Sequence, residues 1–103
     1  MPEAELKYLD TVRKSFTVPK YVTLKGIKYK VTGIADEAFK NDKVIQKIEI
    51  SAYVKTIEAS AFEGCANLKT VIVGKNVTSI EKKAFKNCKK MSKFTNNSIK
   101  LKY

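Results

Sequence analysis

Histidine is missing from this 103-residue sequence, and the commonest general base and the commonest metal ligand go with it. Ser-His-Asp and Cys-His nucleophilic arrangements are thereby excluded. No apolar run approaches the roughly 18 residues that a membrane-spanning helix needs, so no membrane insertion is expected. The opening "MPEAELKYLD" has neither the basic start nor the apolar stretch of a signal peptide. That fits a cytosolic chain, or one whose targeting segment lies outside this sequence. Cysteine is scarce, with Cys65 and Cys88 alone. Two thiols without histidine and without a Cys-x-x-C spacing make a poor zinc site, so neither a metal nor a cofactor is expected. Acidic residues are few as well, 10 against 21 basic, for a net charge of +11.

What the sequence does hold is repetition. Hydrophobic residues at 44% and charged residues at 30% suit one folded domain. Within it Ile34, Ile57 and Ile80 stand 23 residues apart, as do Ala38, Ala61 and Ala84, and Phe39, Phe62 and Phe85. The same step relates Ile45, Leu68 and Met91, then Ile48, Val71 and Phe94, then Val31, Val54 and Val77. Apolar columns in fixed register describe a solenoid, in which each coil stacks its residues on their counterparts in the next.

Each coil can be read locally. "KIEI" (47–50) and "TVIV" (70–73) alternate, which puts Ile48, Ile50, Val71 and Val73 inside short strands that stack in parallel about 4.8 Å apart. The segments "ADEAFKN", "EASAFEG" and "EKKAFKN" lack strand character and predict one or two helical turns. Each closes at Asn41, Gly64 or Asn87, residue types that tolerate the left-handed conformation. "VKTI" and "VTSI" supply a second extended segment per coil. Ahead of the period, "YVTLKGIKYKV" (21–31) predicts a β-hairpin turning at Lys25-Gly26.

The expected architecture is an α/β solenoid of short parallel strands and short helical turns. It forms a single domain over residues 1–103, with an N-terminal hairpin cap at about 11–33 and repeats at 34–56, 57–79 and 80–103. The last repeat is incomplete, because Asn96 and Lys100 replace apolar column members. It either closes the solenoid as a polar cap or belongs to a longer array.

The pattern Ile-x-x-x-Ala-Phe-x-x-Cys-x-x-Leu-x-x-Val-x-Val, carried by Ile57, Ala61, Phe62, Cys65, Leu68, Val71 and Val73, resembles the BspA-type bacterial surface leucine-rich repeat. Val18-Pro19, Val22, Gly26, Tyr29, Val31-Thr32, Ile34 and Ala38-Phe39 are similar to the segment that leads into such repeats. The resemblance spans roughly residues 16 to 94. Asp42 at the Cys column and Met91 at the Leu column depart from it. It implies a right-handed leucine-rich-repeat coil, a location at the cell surface or secreted, and a role in adhesion or recognition.

The chemistry on offer is thin. Glu58 and Glu81 share a column and form the best carboxylate pair on offer for acid/base work, but solvated residues whose negative charge suits the start of each helical turn account for them better. Cys65 and Cys88 lie close enough for a disulfide, yet their positions suit small buried thiols better. The Phe column suits an internal ladder better than an exposed stacking platform. Tyr8, Tyr21, Tyr29, Tyr53 and Tyr103 are the aromatics that the repeat does not fix. Charge is uneven along the chain. The two complete repeats are neutral, while residues 1–33 carry seven basic and three acidic residues, and 80–103 carry eight and one. The terminal lysines suit protection of an exposed strand edge or contact with a polyanion.

No catalytic residue is therefore assigned, and the expected function is a non-enzymatic binding module. Alternation turns Lys47, Glu49, Thr70, Ile72, Lys93 and Thr95 outward in two columns, the expected contact surface for an extracellular protein or glycan. Polyanion contact through the Lys-rich C-terminal end, self-association through the solenoid ends and a purely structural spacer are the alternatives.

Overall fold

The structure, a computed structural model, describes residues 3–6 and 14–98. Strands β1 (Glu3–Leu6), β2 (Ser15–Thr17), β3 (Tyr21–Leu24), β4 (Ile27–Ile34), β5 (Lys47–Glu49), β6 (Thr56–Ile57), β7 (Thr70–Val73), β8 (Ser79–Ile80) and β9 (Lys93–Asn96) form two sheets. The first runs β1-β4-β6-β8 in parallel, with β3 antiparallel on β4. The second runs β2-β5-β7-β9, all parallel. Each coil gives one strand to each sheet, so the chain is a parallel-strand solenoid of about four coils.

The predicted columns are the core. Phe62, Ile34, Ile45, Ile48, Ile57, Leu68, Val54, Val71, Val73 and Val77 are fully buried. Val71 pairs with Ile48 on one side and Phe94 on the other. The Phe rings stack as an internal ladder. Phe39 and Phe62 lie 5.0 Å apart at 10°, and Phe62 and Phe85 lie 5.2 Å apart at 3°. The ladder ends on Phe94, edge-on to Phe85 at 5.7 Å.

The expected helical turns are not helices, and among the described residues no helix occurs. Along the arc 35–42 the backbone alternates its partners. Glu37, Phe39 and Asn41 donate to Ala59, Ala61 and Glu63 of the next coil at 3.2, 2.7 and 2.8 Å, while Ala38, Lys40 and Asp42 donate three residues back, to Ala35, Glu37 and Phe39. A helix needs every N–H for its own ladder. Left-handed residues recur besides, in pairs four apart: Glu37 and Asn41 (φ 59 and 62), Ser60 and Gly64 (60 and 76), Lys83 and Asn87 (65 and 62). One such residue ends a right-handed helix. Asn41, Gly64 and Asn87 thus adopt the conformation expected of them, but within a chain of tight turns. At Gly64 the neighbouring coil also matters, because a Cβ there would run into the Asn41 side-chain oxygen.

The hairpin forms where expected, with Lys25 and Gly26 at φ 51 and 78, the left-handed pair that a two-residue turn requires. Its second strand, β4, continues to Ile34 and is itself a solenoid strand in the first sheet. Strand β2 likewise stacks on β5 with Phe16 opposite Ile48. The lead-in segment is therefore a divergent coil with a hairpin inserted into it.

Candidate binding surface

Pairing in the second sheet brings the six predicted surface residues together. Lys47, Thr70 and Lys93 are in register in one column, and Glu49, Ile72 and Thr95 in the other. Lys47, Glu49 and Lys93 are exposed, while Thr70, Ile72 and Thr95 are half-buried by their neighbours. Strand β2 lengthens both columns, with Ser15 beside Lys47 and Thr17 beside Glu49. Those two residues were missed because the step from Phe16 to Ile48 is 32 residues where the period is 23. The alternation of Phe16 and Val18, matching Ile48 and Ile50, is the signal that could have found them.

A groove adjoins the sheet where its strands end. About 540 Å³ in volume, it is lined by Thr17, Glu49 and Ile72 from the exposed columns and by Pro19, Ser51 and Gly74 from the turns beyond. Glycine is required on its floor. A Cβ at Gly74 would stand 2.6 Å from the Ser51 carbonyl oxygen and 2.8 Å from that of Ile50. Thr17 Oγ1 donates to Glu49 Oε2 at 3.4 Å across the rim, which holds the carboxylate at the mouth.

The residues considered for catalysis are engaged elsewhere. Ser79 Oγ donates to Glu81 Oε1 at 2.7 Å. Glu58 neighbours Glu5, whose carboxyl is pushed above its usual range by desolvation first and then by Glu58 and Asp36. Among the described residues no cluster of His, Cys, Asp and Glu could hold a metal ion. Neither cysteine is in a disulfide. Each thiol donates to a main-chain carbonyl of the preceding coil, Cys65 Sγ to Phe39 O at 3.0 Å and Cys88 Sγ to Phe62 O at 3.1 Å. Burial pushes the Cys65 thiol up to about 12 and raises that of Cys88 as well. Thiols held this way are poor nucleophiles. Asp42, in the same column, caps its turn instead, accepting from the N–H groups of Val44 and Ile45 at 2.9 and 3.2 Å.

The C-terminal lysines follow the course of one coil. Lys82, Lys83 and Lys86 lie on its arc, Lys89 and Lys90 at the corner and Lys93 on β9, all exposed. They are spread along the arc, the corner and one strand of a single coil. Tyr8, Lys100 and Tyr103 lie outside the described residues, as does the start of the expected cap at 11–13. No helix among the described residues is long and apolar enough to cross a membrane.

The buried Ile-Ala-Phe columns and the stacked coils agree with what known proteins show, since residues 14–103 match the BspA type Leucine rich repeat region in six copies. The chain belongs to that family. Among solved structures, this BspA-type chain is similar to a leucine rich cell surface protein from Faecalibacterium prausnitzii, at 28% identity and a TM-score of 0.77, covering 91% of this chain and 28% of that one. A leucine-rich repeat protein from Bacteroides ovatus gives 29% and 0.74, over 78% of this chain and 21% of that one. One from Bacteroides capillosus gives 26% and 0.73, over 82% and 59%. The BspA-type chain therefore spans less than two thirds of each of these proteins. No curated protein matches it.

Proposed function

We propose that this BspA-type segment is a non-enzymatic recognition module of a bacterial cell-surface protein. It contacts an extracellular protein or glycan through the exposed columns of the second sheet. One observation carries the reading: the columns and the groove share Thr17, Glu49 and Ile72, so a flat face for contact runs into a concavity that can take a protruding group. The scaffold beneath is stacked and hydrogen-bonded coil to coil, so presenting these side chains costs little ordering entropy on binding. Two further observations support binding over catalysis. Histidine is absent, and Glu81, Cys65 and Cys88 are all engaged in hydrogen bonds within the fold. The surface location rests on the family and on the Faecalibacterium cell surface protein.

The test is an array of extracellular-matrix proteins and cell-surface glycans, probed at about 0.15 M salt with the wild type, Glu49→Lys and Thr70→Arg. Charged rim contacts show mainly in association rates and central contacts in dissociation. Each substitution is therefore expected to weaken a specific ligand by about tenfold or more, the cost of a disturbed central contact. Ligands recovered with full affinity by both variants would refute the strand-face reading, and an empty array would favour a spacer.

A further inference from the structure

Counted along the chain the two complete repeats are neutral, but in the segments between the sheets the carboxylates keep to one side of the coil. The segments passing from the second sheet to the first, residues 18–34, 50–57 and 73–80, hold Lys20, Lys25, Lys28, Lys30, Lys55 and Lys75 and no Asp or Glu. The arcs that return from the first sheet to the second carry Asp36, Glu37, Asp42, Glu58, Glu63 and Glu81 mixed with eight lysines, five of them on the last arc. Stacking then brings lysines of different coils to one side. The register of β4, β6 and β8, continued outward, places Lys30, Tyr53 and Asn76 in one column. That of β2, β5 and β7 places Lys20, Ala52 and Lys75 in another. The result is a basic strip along the side of the solenoid, bordered by Glu3 beside Lys30 and by Glu49 at the groove.

Two tyrosines stand at its centre. Tyr21 on β3 and Tyr53 after β5 have ring centroids 5.5 Å apart, and the Tyr21 hydroxyl donates to that of Tyr53 at 3.3 Å. Lys28 Nζ sits 4.2 Å above the Tyr21 ring, and Lys30 Nζ 4.9 Å above that of Tyr53. The phenol of Tyr53 is held below its usual range, first by the Tyr21 hydrogen bond and then by Lys20, Lys30 and Lys75. These lysines act on one spot, and among the described residues none of the six forms an ion pair. Beside Tyr53 a cleft of about 280 Å³ is lined by Lys30, Lys55, Asn76 and Thr78. On the other side of the Ser51–Tyr53 segment, Lys20 and Lys75 line the larger groove.

The geometry points to a second binding site along this strip, for an anionic polysaccharide whose sulfate or phosphate groups meet Lys20, Lys28, Lys30, Lys55 and Lys75 and whose hydroxyls meet Tyr21 and Tyr53. Ammonium groups that outnumber the carboxylates at their border, and that form no ion pair with them, focus positive potential on a cleft. Lysine suits isolated oxyanions as a compact point charge. Nucleic acid fits less well. Single strands are held by stacking bases on aromatic faces, and here each tyrosine has an ammonium over one face. The bidentate reading of guanine is largely the work of arginine, and the sequence has only Arg13. The site uses none of the six exposed-column residues and meets the strand-face site only at the groove, through Lys20 and Lys75, so substitutions at Thr70 or Lys47 leave it untouched.

The experiment measures binding of three polymers between 50 and 200 mM salt: a heparin oligosaccharide, a glycerol-phosphate polymer and oligothymidine. Two variants of equal charge are compared with the wild type. One changes Lys20, Lys28, Lys30, Lys55 and Lys75 to Gln, and the other changes Lys82, Lys83, Lys86, Lys89 and Lys90 to Gln. At about 0.7 per contact on a single-stranded polyanion, five contacts give a log–log salt slope near −3.5, roughly a hundredfold loss across that range. The wild type and the last-coil variant are expected to show that slope with at least one saccharide or phosphate polymer. The strip variant is expected to lose most of it. Preference for heparin or for the glycerol-phosphate polymer identifies sulfate or phosphodiester as the source of the anion. Equal losses in both variants, loss only in the last-coil variant, tighter binding of oligothymidine, or no binding at all would overturn the proposal. If the strip variant does not fold by circular dichroism, acetylation footprinting of the wild type decides. Bound polymer should protect Lys30 and Lys75 and leave Lys89 and Lys90 reactive, and the reverse pattern refutes the site.

Discussion

Replacing Phe62 by Ala tests the solenoid at its most constrained point. The ring has no exposure and is held between parallel neighbours at 5.0 and 5.2 Å. Its truncation removes both contacts and leaves a cavity between coils that the backbone ladder keeps from collapsing. A buried Phe→Ala change costs roughly 3–5 kcal/mol, and the two lost stacks place this one toward the upper end. A domain of this size has only about 5–15 kcal/mol in total. At about 4–8 °C per kcal/mol, a cost of about 4–5 kcal/mol should lower the thermal midpoint by roughly 16–40 °C. Phe85, half-buried and stacked on one side only within the ladder, should cost clearly less. Ile72, half-buried on the outer face of β7, should cost about 1 kcal/mol or less. Equilibrium denaturation in urea, followed by circular dichroism, reads all three. A loss from Ile72→Ala equal to that from Phe62→Ala would show that the strand faces are reversed and refute the assignment of the exposed columns.

Two further outcomes follow from the titrating groups. The native protein should react slowly with a thiol reagent, Cys88 ahead of the more deeply buried Cys65, and the unfolded chain should show both thiols without prior reduction; thiols that appear only after a reductant would establish a disulfide instead. Because the carboxyl of Glu5 is raised above its usual value near 4.5, its folded-state cost is present in full at neutral pH and is relieved as pH falls through the folded pKa. Glu5→Gln should therefore stabilise the protein at pH 7, with the gain vanishing below about pH 4, near the unfolded carboxyl value. A gain that is the same at both pH values in chemical denaturation would show that charge is not its cause.

The core was legible because a solenoid repeats its environment. The Ile34, Ala38 and Phe39 columns could be read directly, since each member sits in the same place in its own coil. Strand faces follow from alternation, which is enough to put Lys47, Glu49, Thr70, Ile72, Lys93 and Thr95 on one face. The arcs were misread as helical turns for a definite reason. Their apolar spacing suits a helix, but the N–H of Phe39 has the Ala61 carbonyl of the next coil within 2.7 Å, and that partner is invisible to a local pattern. Strand β2 escaped because the hairpin inserted after it breaks the period on which its alignment depended.

By itself, then, the sequence determined the period, the buried columns and the faces of the strands, since these rest on which side chains avoid water at fixed spacing. Only the tertiary structure decided where backbone hydrogen bonds go between coils, and hence that the arcs are turns. It alone also revealed the groove floored by Gly74 and the side of the coil on which lysines gather with few carboxylates. The physical reason is common to all three. Hydrogen bonds, close backbone approach and Coulomb interactions depend on distances between residues that stacking brings together across 23 or 32 positions of chain, and a count made along the chain averages them away.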